Sequence, residues 1–438
     1  MKTKLPELND QQAAAVEALQ KFVTRSSGSR EIMLQGSAGT GKTTCINALV
    51  SVCRGSFVFT APTNKATKVL TQMVDTYLDG IVPTTTIFKL LGLRLDTDGE
   101  VREIVQDADK AKQQLDMLDV VVIDEASMVN ASLKRAIDKA LIDHPRLKII
   151  YMGDPFQLPP VNESRSLAFS VPEVVTLTKV MRHDNEILTL ATSLRDCILN
   201  QTVPTLLSAN SEDGGVFCVK RARFYDLLAE GCANEKYETQ PNYLKAIAWR
   251  NAMVSHTNEF IRQRLYGEAA AKVGFQVGEK VVACAPVLCV EERQRGGYET
   301  LMTTDEEGIV QAVRVGPHPI YGAILCYHLT IAPESGADWI TAVVPHEDGA
   351  AAAAALTQRL ADLAKSKRGS WSAFWSAKET LHDVRPCHAI TAHRSQGSTY
   401  EMVFVNAVDI LSNQRIEEAL KCLYVAASRP SRVLVINK

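Results

Sequence analysis

The chain is predicted to fold as an α/β protein with two parallel sheets, each covered by helices on both faces. Two patterns predict this. Short continuous apolar runs recur at 31–35, 56–61, 118–123, 147–152 and 174–177, closed by polar, Gly or Pro residues and separated by stretches of helical length. Such runs alternating with helices belong to parallel strands buried on both faces. The pattern restarts after residue 180, with strands expected at 243–249, 388–391, 401–407 and 432–436. At 438 residues the chain is also too long for a single core.

Taken in order, residues 10–23 read as a helix capped by Asn9 or Asp10, with Val16, Leu19 and Val23 on one face. SSGSR at 26–30 is a loop. Residues 92–106 alternate around Asp98-Gly99, a hairpin signal, so 84–117 reads as an insertion projecting from the first unit. A helix is expected over 184–200 on the spacing of Ile187, Leu190, Leu194 and Ile198, and a polar Gly loop over 208–215. Between about 257 and 385 the character shifts to short β-rich runs (277–283, 308–315, 321–331, 338–344), followed by an Ala-rich helix at 348–366. This reads as a small barrel-like domain inserted into the second unit. Trp371, Phe374 and Trp375 fall at i, i+3 and i+4, a spacing that predicts core residues rather than a base-stacking platform.

Composition narrows the classes. Hydrophobic residues make up 46% and charged residues 22%, as in ordinary globular proteins. Lys+Arg 48 against Asp+Glu 50 gives a net charge of −2, which excludes a global basic field; a nucleic-acid partner would have to be held in a local groove. The 10 cysteines form no C-x-x-C pair and no cluster at zinc spacing, so they read as thiols in a reducing, cytoplasmic setting. The start, MKTKLPELNDQQ, has no apolar leader pattern, and no run approaches the roughly 18 apolar residues of a spanning helix.

The chemistry concentrates after the predicted strands. Gly36-Ser37-Ala38-Gly39-Thr40-Gly41-Lys42-Thr43 is a complete G-x-x-x-x-G-K-[ST] pattern between a strand and a helix. Its glycines let backbone N–H groups face phosphate oxygens at a helix N-terminus. Lys42 then reaches the β- and γ-phosphates of a nucleoside triphosphate, and the Thr43 hydroxyl holds Mg²⁺. In DVVVIDEASM (119–128), Asp124 and Glu125 stand at the end of a strand. The first would support Mg²⁺, and the second would orient and deprotonate the attacking water. Gly153-Asp154-Pro155-Phe156-Gln157-Leu158-Pro159-Pro160 follows the next strand, where Gln157 could sense the γ-phosphate or the water.

Together these segments resemble the superfamily 1 helicases, and within them the RecD-like branch, superfamily 1B. Leu8 to Gln12 is similar to the Q motif, whose last Gln contacts adenine. Thr60 to Ala66 resembles motif Ia and Thr86-Ile87-Phe88 motif Ib, with Phe88 standing where relatives carry a His. Arg182 matches the motif IV arginine, Ala392-His393-Arg394-Ser395-Gln396-Gly397-Ser398-Thr399 resembles motif V, and Leu423 to Arg429 motif VI. The matches run in family order from residue 8 to residue 436.

The resemblance implies two RecA-like P-loop lobes: 1–83 with 118–180 (1A, ATP-binding), and 181–256 with 386–438 (2A). It implies a pin-bearing hairpin insertion at 84–117 (1B) and an SH3-like β-rich domain at 257–385 (2B). ATP and Mg²⁺ are the implied cofactors. Nucleotide contacts fall on Gln12, Gly36 to Lys42, Thr43, Thr44, Gln396 and Gly397; metal contacts on Thr43 and Asp124; catalysis on Lys42, Glu125, Gln157, Arg182 and Arg429. Single-stranded and forked duplex DNA are the implied partners of a monomer, contacted by Pro62, Thr63, Asn64, Thr86, Phe88, Thr391 and His393. Strand separation falls on the hairpin, at Leu95, Asp98, Gly99, Val101 and Ile104. Movement would be 5′→3′. Alternatives stay open: a translocase that strips proteins from DNA, a RecD-like motor subunit with replication or recombination partners, or a P-loop switch indifferent to DNA.

Overall fold

Six parallel strands form the first sheet: β1 (Glu31–Gly36), β2 (Phe57–Ala61), β3 (Thr84–Thr86), β6 (Val120–Ile123), β7 (Lys148–Gly153) and β8 (Val174–Leu177), in the order β3-β2-β6-β7-β1-β8. The computed structural model describes residues 6–438 except 79, 96–103, 161, 181–185, 212–213, 269–272 and 295–296. Every residue of β2 and β6 is buried. Alternate side chains enter two helical layers: Leu34, Phe59 and Met152 join Leu19 and Phe22 on one face, while Met33, Val58 and Tyr151 join Leu133 and Ile137 on the other. The first helix, Asp10–Thr24, starts with a capping box in which the Asn9 side chain accepts from Gln12 N and the Gln12 side chain from Asn9 N.

Between β3 and β6 the chain makes an antiparallel pair, β4 (Leu93–Leu95) and β5 (Ile104–Gln106), with Leu95 opposite Ile104. Asp98, Gly99 and Val101, at the tip expected for strand separation, lie outside the described residues.

The second sheet has the order β19-β11-β20-β21-β10-β9, from β9 (Ala209–Ser211), β10 (Gly214–Val219), β11 (Leu244–Ala248), β19 (Ala389–Thr391), β20 (Tyr400–Val405) and β21 (Pro430–Asn437). All pairs are parallel except β9 with β10. That pair corrects the expectation of a loop over 208–215. Gly214 and Gly215 sit at φ 145° and 138°, and a Cβ on them would come within 2.1 Å of Arg432 O and 2.5 Å of Ala209 O. The glycines permit close strand approach rather than a loop.

The chain leaves the second sheet after β11 and re-enters at β19, its hydrogen-bonded neighbour. The intervening residues build an antiparallel sheet, β17-β16-β15-β12-β18, from β12 (Lys280–Ala283), β15 (Glu307–Pro317), β16 (Leu325–Pro333), β17 (Ile340–Pro345) and β18 (Val384–Pro386). A further hairpin, β13 (Val287–Gln294) with β14 (Gly297–Met302), was not expected from the sequence. Helices Glu347–Lys365 and Trp371–Thr380 pack together beside it. Trp371, Phe374 and Trp375, predicted as core, are only half-buried. Their rings meet edge to face at 5.5 and 4.8 Å, with the Lys378 ammonium over Phe374 and Trp375.

Candidate active site

Parallel sheets gather ligands at the carboxyl ends of their strands. The phosphate loop follows β1, Asp124-Glu125 follows β6, Gly153 to Gln157 follows β7, and Thr391 to Thr399 follows β19. Arg429 ends the turn between the helix Ile416–Ala427 and β21. One cavity of about 250 Å³ is lined by Ala38, Gly39, Gly41, Lys42, Thr43 and Thr44 from the loop, Asp124, Glu125, Asp154 and Gln157 from the same sheet, and Gly397, Ser398 and Arg429 from the second unit. Most of the residues expected at a triphosphate therefore converge, although nearly the whole chain separates the first from the last.

The loop is built by glycine geometry. Gly39 and Gly41 sit at φ 81° and 83°, the left-handed region. A Cβ on Gly41 would stand 2.3 Å from Gln12 Nε2. That amide donates to Thr40 O at 3.0 Å, and Gln12 is 3% exposed, so the residue expected at the base braces the phosphate loop and does not itself line the cavity. Lys42 opens the helix Lys42–Val52, and its ammonium donates to Gly36 O at 2.7 Å and Ser37 O at 3.2 Å. The Ser37 and Ser398 hydroxyls are buried with no hydrogen-bond partner among the described residues.

Glu125 is held at φ 50°, ψ 45°, a left-handed conformation that costs a non-glycine residue about 1–2 kcal/mol. Its carboxyl is pushed up to about 7, first by burial and then by Asp124, against the lowering effect of Arg429 and Lys42. Asp124 is also raised, chiefly by burial, though its Oδ1 accepts from Glu125 N at 2.8 Å. Glu125 Oε1 lies 3.6 Å from where a Cβ on Gly397 would stand, which puts the carboxylate directly against the second unit.

Further contacts join the two units here. Tyr424 Oη donates to Asp154 Oδ2 at 2.7 Å, between residues 270 positions apart, and both are 1% exposed. The Tyr424 ring meets Phe156 edge to face at 6.2 Å. Gln396 Nε2 donates to Leu158 O at 3.3 Å and Gln157 Oε1 at 3.4 Å. Arg429, 5% exposed, donates through Nε to Val425 O (3.0 Å), through Nη2 to Ser428 Oγ (2.8 Å) and through Nη1 to Ser398 O (3.3 Å). Arg182 lies outside the described residues.

Asp154 and Tyr424 were missed as site residues from the sequence, though both stand inside the GDPFQ and LYVAASR segments that flagged their neighbours. Also unforeseen is a second cavity of about 280 Å³ beside Ser37 and Ala38, walled by Ile187, Leu188, Ala191, Arg195, Tyr424 and Pro430. Its apolar wall comes from the helix Glu186–Asn200, whose apolar spacing gave the helix but no site.

The residues expected at DNA occupy the same carboxyl edges. Thr63 Oγ1 accepts from Ala66 N at 3.2 Å, and Asn64 beside it is exposed. Thr86, paired with Ala61 across β2 and β3, caps the short helix Ile87–Leu90 by accepting from Lys89 N. Phe88 packs partly into the core, so its ring is only part-available to a ligand. Thr391 Oγ1 accepts from Arg394 N at 3.3 Å. His393 is lowered by burial, partly offset by Glu418, which favours a neutral ring. No group of three or more His, Cys, Asp or Glu able to hold a metal by itself occurs among the described residues, and no helix among them is long and apolar enough to cross a membrane.

Known proteins share this organisation. Residues 7–209 match the AAA domain family and residues 386–436 the UvrD-like helicase C-terminal domain family. The chain is 24% identical to the uncharacterised protein R530 of Acanthamoeba polyphaga mimivirus, over 97% of this chain and 99% of that one. It is 23% identical to the ATP-dependent DNA helicase dda of Enterobacteria phage T4, over 91% of this chain and 92% of that one. The Pif1 helicase of Candida albicans has the same fold, with a TM-score of 0.52 at 17% identity over 99% of this chain and 95% of that one. With the motifs in order from Gln12 to Arg429 and these nearly full-length matches, the chain is similar throughout to the ATP-dependent DNA helicases of superfamily 1B.

Proposed function

We propose that the chain is an ATP-dependent DNA helicase that moves 5′→3′ along single-stranded DNA and separates duplex ahead of it. The observation that carries this reading is the cavity lined by Lys42 and Glu125 from the first sheet and Arg429 from the second. A site assembled from two bodies closes when the triphosphate binds and opens when it is hydrolysed. The two parallel sheets serve as motor lobes 1A and 2A, the β4–β5 hairpin as the pin of 1B, and the antiparallel sheet as the SH3-like 2B.

In this reading Lys42 and the loop amides bind the β- and γ-phosphates. Glu125 takes the proton of the attacking water, and Gln157 positions that water. Arg429 and Arg182 stabilise charge on the transferred phosphoryl group. The apolar cavity against Ile187 and Tyr424 suits a nucleobase next to the phosphate loop. Thr43 and Asp124 suit Mg²⁺, which takes one or two carboxylates and completes its shell with phosphate and water. When bound, the ion offsets charge on the phosphate oxygens. The single strand runs over the carboxyl edges, past Pro62, Thr63, Asn64 and Thr86 on lobe 1A and Thr391 and His393 on lobe 2A. Hydroxyl and amide contacts to phosphates are independent of sequence, as tracking requires.

The test is ATP turnover against added oligo-dT, followed by unwinding of 5′-tailed and 3′-tailed duplexes. Strong stimulation and unwinding of the 5′-tailed substrate are expected. Turnover indifferent to DNA would leave a P-loop switch, and preference for the 3′ tail would reverse the direction.

A further inference from the structure

The turn that leads into β15 inserts two carboxylates among lysines and an arginine contributed by both lobes. Glu307 Oε2 pairs with Lys245 Nζ of β11 at 2.8 Å, and its Oε1 lies 3.6 Å from Lys65 Nζ on the helix Asn64–Leu78. Two residues earlier, Asp305 Oδ1 lies 3.3 Å from Arg394 Nε. Lys65 directly follows Thr63-Asn64, and Arg394 directly follows His393. The acidic turn therefore sits on the cations next to both segments that the proposed function assigns to the strand backbone.

The three pairs differ in kind. Lys245 is 1% exposed and also donates to Cys387 O at 2.8 Å, so its bond to Glu307 belongs to the core. Burial pushes the Glu307 carboxyl up, but Lys245 and Lys65 outweigh it and hold it at about 2, so it stays anionic throughout the physiological range. Lys65 and Arg394 are 23% and 35% exposed, and their contacts at 3.6 and 3.3 Å are ion pairs rather than tight hydrogen bonds. Of the two, the Arg394–Asp305 pair, with both partners about a third exposed, is the weaker and more exchangeable.

We propose that Asp305 and Glu307 are an internal stand-in for the phosphates of the single strand: they hold Lys65 and Arg394 in place, and an incoming strand displaces them. Lys65 and Arg394 become further backbone contacts of the motor, and the acidic turn of the antiparallel sheet sets how tightly it grips. An anion entering this groove first meets anions, so binding requires the turn to yield. Movement of that sheet relative to the lobes is thereby tied to strand occupancy. The inference rests on the strand running past Thr63 and His393.

The test measures binding of a labelled oligo-dT to the full chain by anisotropy, between about 50 and 200 mM salt. The variants are Asp305→Asn, Arg394→Ala and the two combined. Asn tolerates the left-handed backbone of residue 305, at φ 64°, so the substitution preserves the turn. Asp305→Asn is expected to tighten binding about two- to fivefold, the size of one partly exposed pair. The slope of log K against log salt should stay that of the wild type, because Arg394 meets the same phosphate in both complexes once the turn has yielded. The gain should vanish in the Arg394→Ala background, whose slope should be shallower by about 0.7, one phosphate contact fewer on a single strand. Glu307→Gln should act in the same direction, read beside a thermal melt because Lys245 then loses its buried partner. Unchanged or weaker binding by Asp305→Asn, or a gain that persists without Arg394, overturns the inference alone. A wild-type chain that binds no oligo-dT overturns the functional reading beneath it as well.

Discussion

Replacing Tyr424 with Phe removes one oxygen and tests whether closure of the lobes limits turnover. The Tyr424 hydroxyl is a donor to the Asp154 carboxylate from the opposite lobe, at 2.7 Å and with both residues 1% exposed. Without it, Asp154 keeps the Phe156 amide at 3.0 Å as a local donor but loses its cross-lobe partner. Hydrogen bonds to charged groups contribute about 1.5–3 kcal/mol. At 1.36 kcal/mol per factor of ten, the closed arrangement should be depleted about 10- to 100-fold relative to the open one. The ring still fills its place against Phe156, and each lobe retains its own core. The DNA-stimulated kcat should therefore fall at least about tenfold, while the melting temperature drops by only about a few degrees because each lobe keeps its own core. Steady-state ATPase at saturating oligo-dT, beside a thermal melt, reads both. A kcat within about twofold of wild type would show that closure does not depend on this bond, refuting the link between the two bodies and hydrolysis.

Other perturbations separate the parts of the site. Lys42→Ala should lower hydrolysis by at least about 10², while oligo-dT binding measured by anisotropy stays within a few-fold. Glu125→Gln should bind nucleotide yet turn over about 10²–10⁴ more slowly, as loss of a general base requires. In the wild type, kcat should rise as pH climbs through about 7, because Glu125 acts only when ionised and its carboxyl is raised to that value. Asp154→Asn, which removes one of the raising charges, should move that limb to lower pH. Gly41→Ala meets both an unfavourable backbone at φ 83° and the Gln12 amide at 2.3 Å. The left-handed strain alone costs about 1–2 kcal/mol, so nucleotide affinity in a fluorescence titration should drop about tenfold.

The phosphate loop, Asp124-Glu125 and Gln157 were legible in the sequence because each lies in a short segment whose chemistry demands specific residue types, whereas Gly397 and Arg429 came only with the family resemblance. The parallel strands were legible because burial on both faces leaves continuous apolar runs. What escaped were relations between distant segments. Nothing local to Tyr424 indicates that its hydroxyl meets Asp154, 270 residues away. The β9–β10 pair was hidden because Gly214-Gly215 reads as a loop until Arg432 and Ala209 are placed beside it. The β13–β14 hairpin was hidden by the charged run EERQRGG. Trp371, Phe374 and Trp375 show the limit of periodicity: the spacing put them on one helical face, but they meet one another edge to face, half-buried, instead of entering a core.

In the proposed cycle one triphosphate is held by Lys42 from the first lobe and stabilised during hydrolysis by Arg429 from the second. Turnover of Arg429→Ala at saturating oligo-dT, measured together with its affinity for a non-hydrolysable ATP analogue, tests it most directly. A fall in kcat of about 10³–10⁵ is expected, the contribution of an arginine finger, with nucleotide affinity changed far less. Unchanged turnover, or a loss confined to affinity, would contradict it.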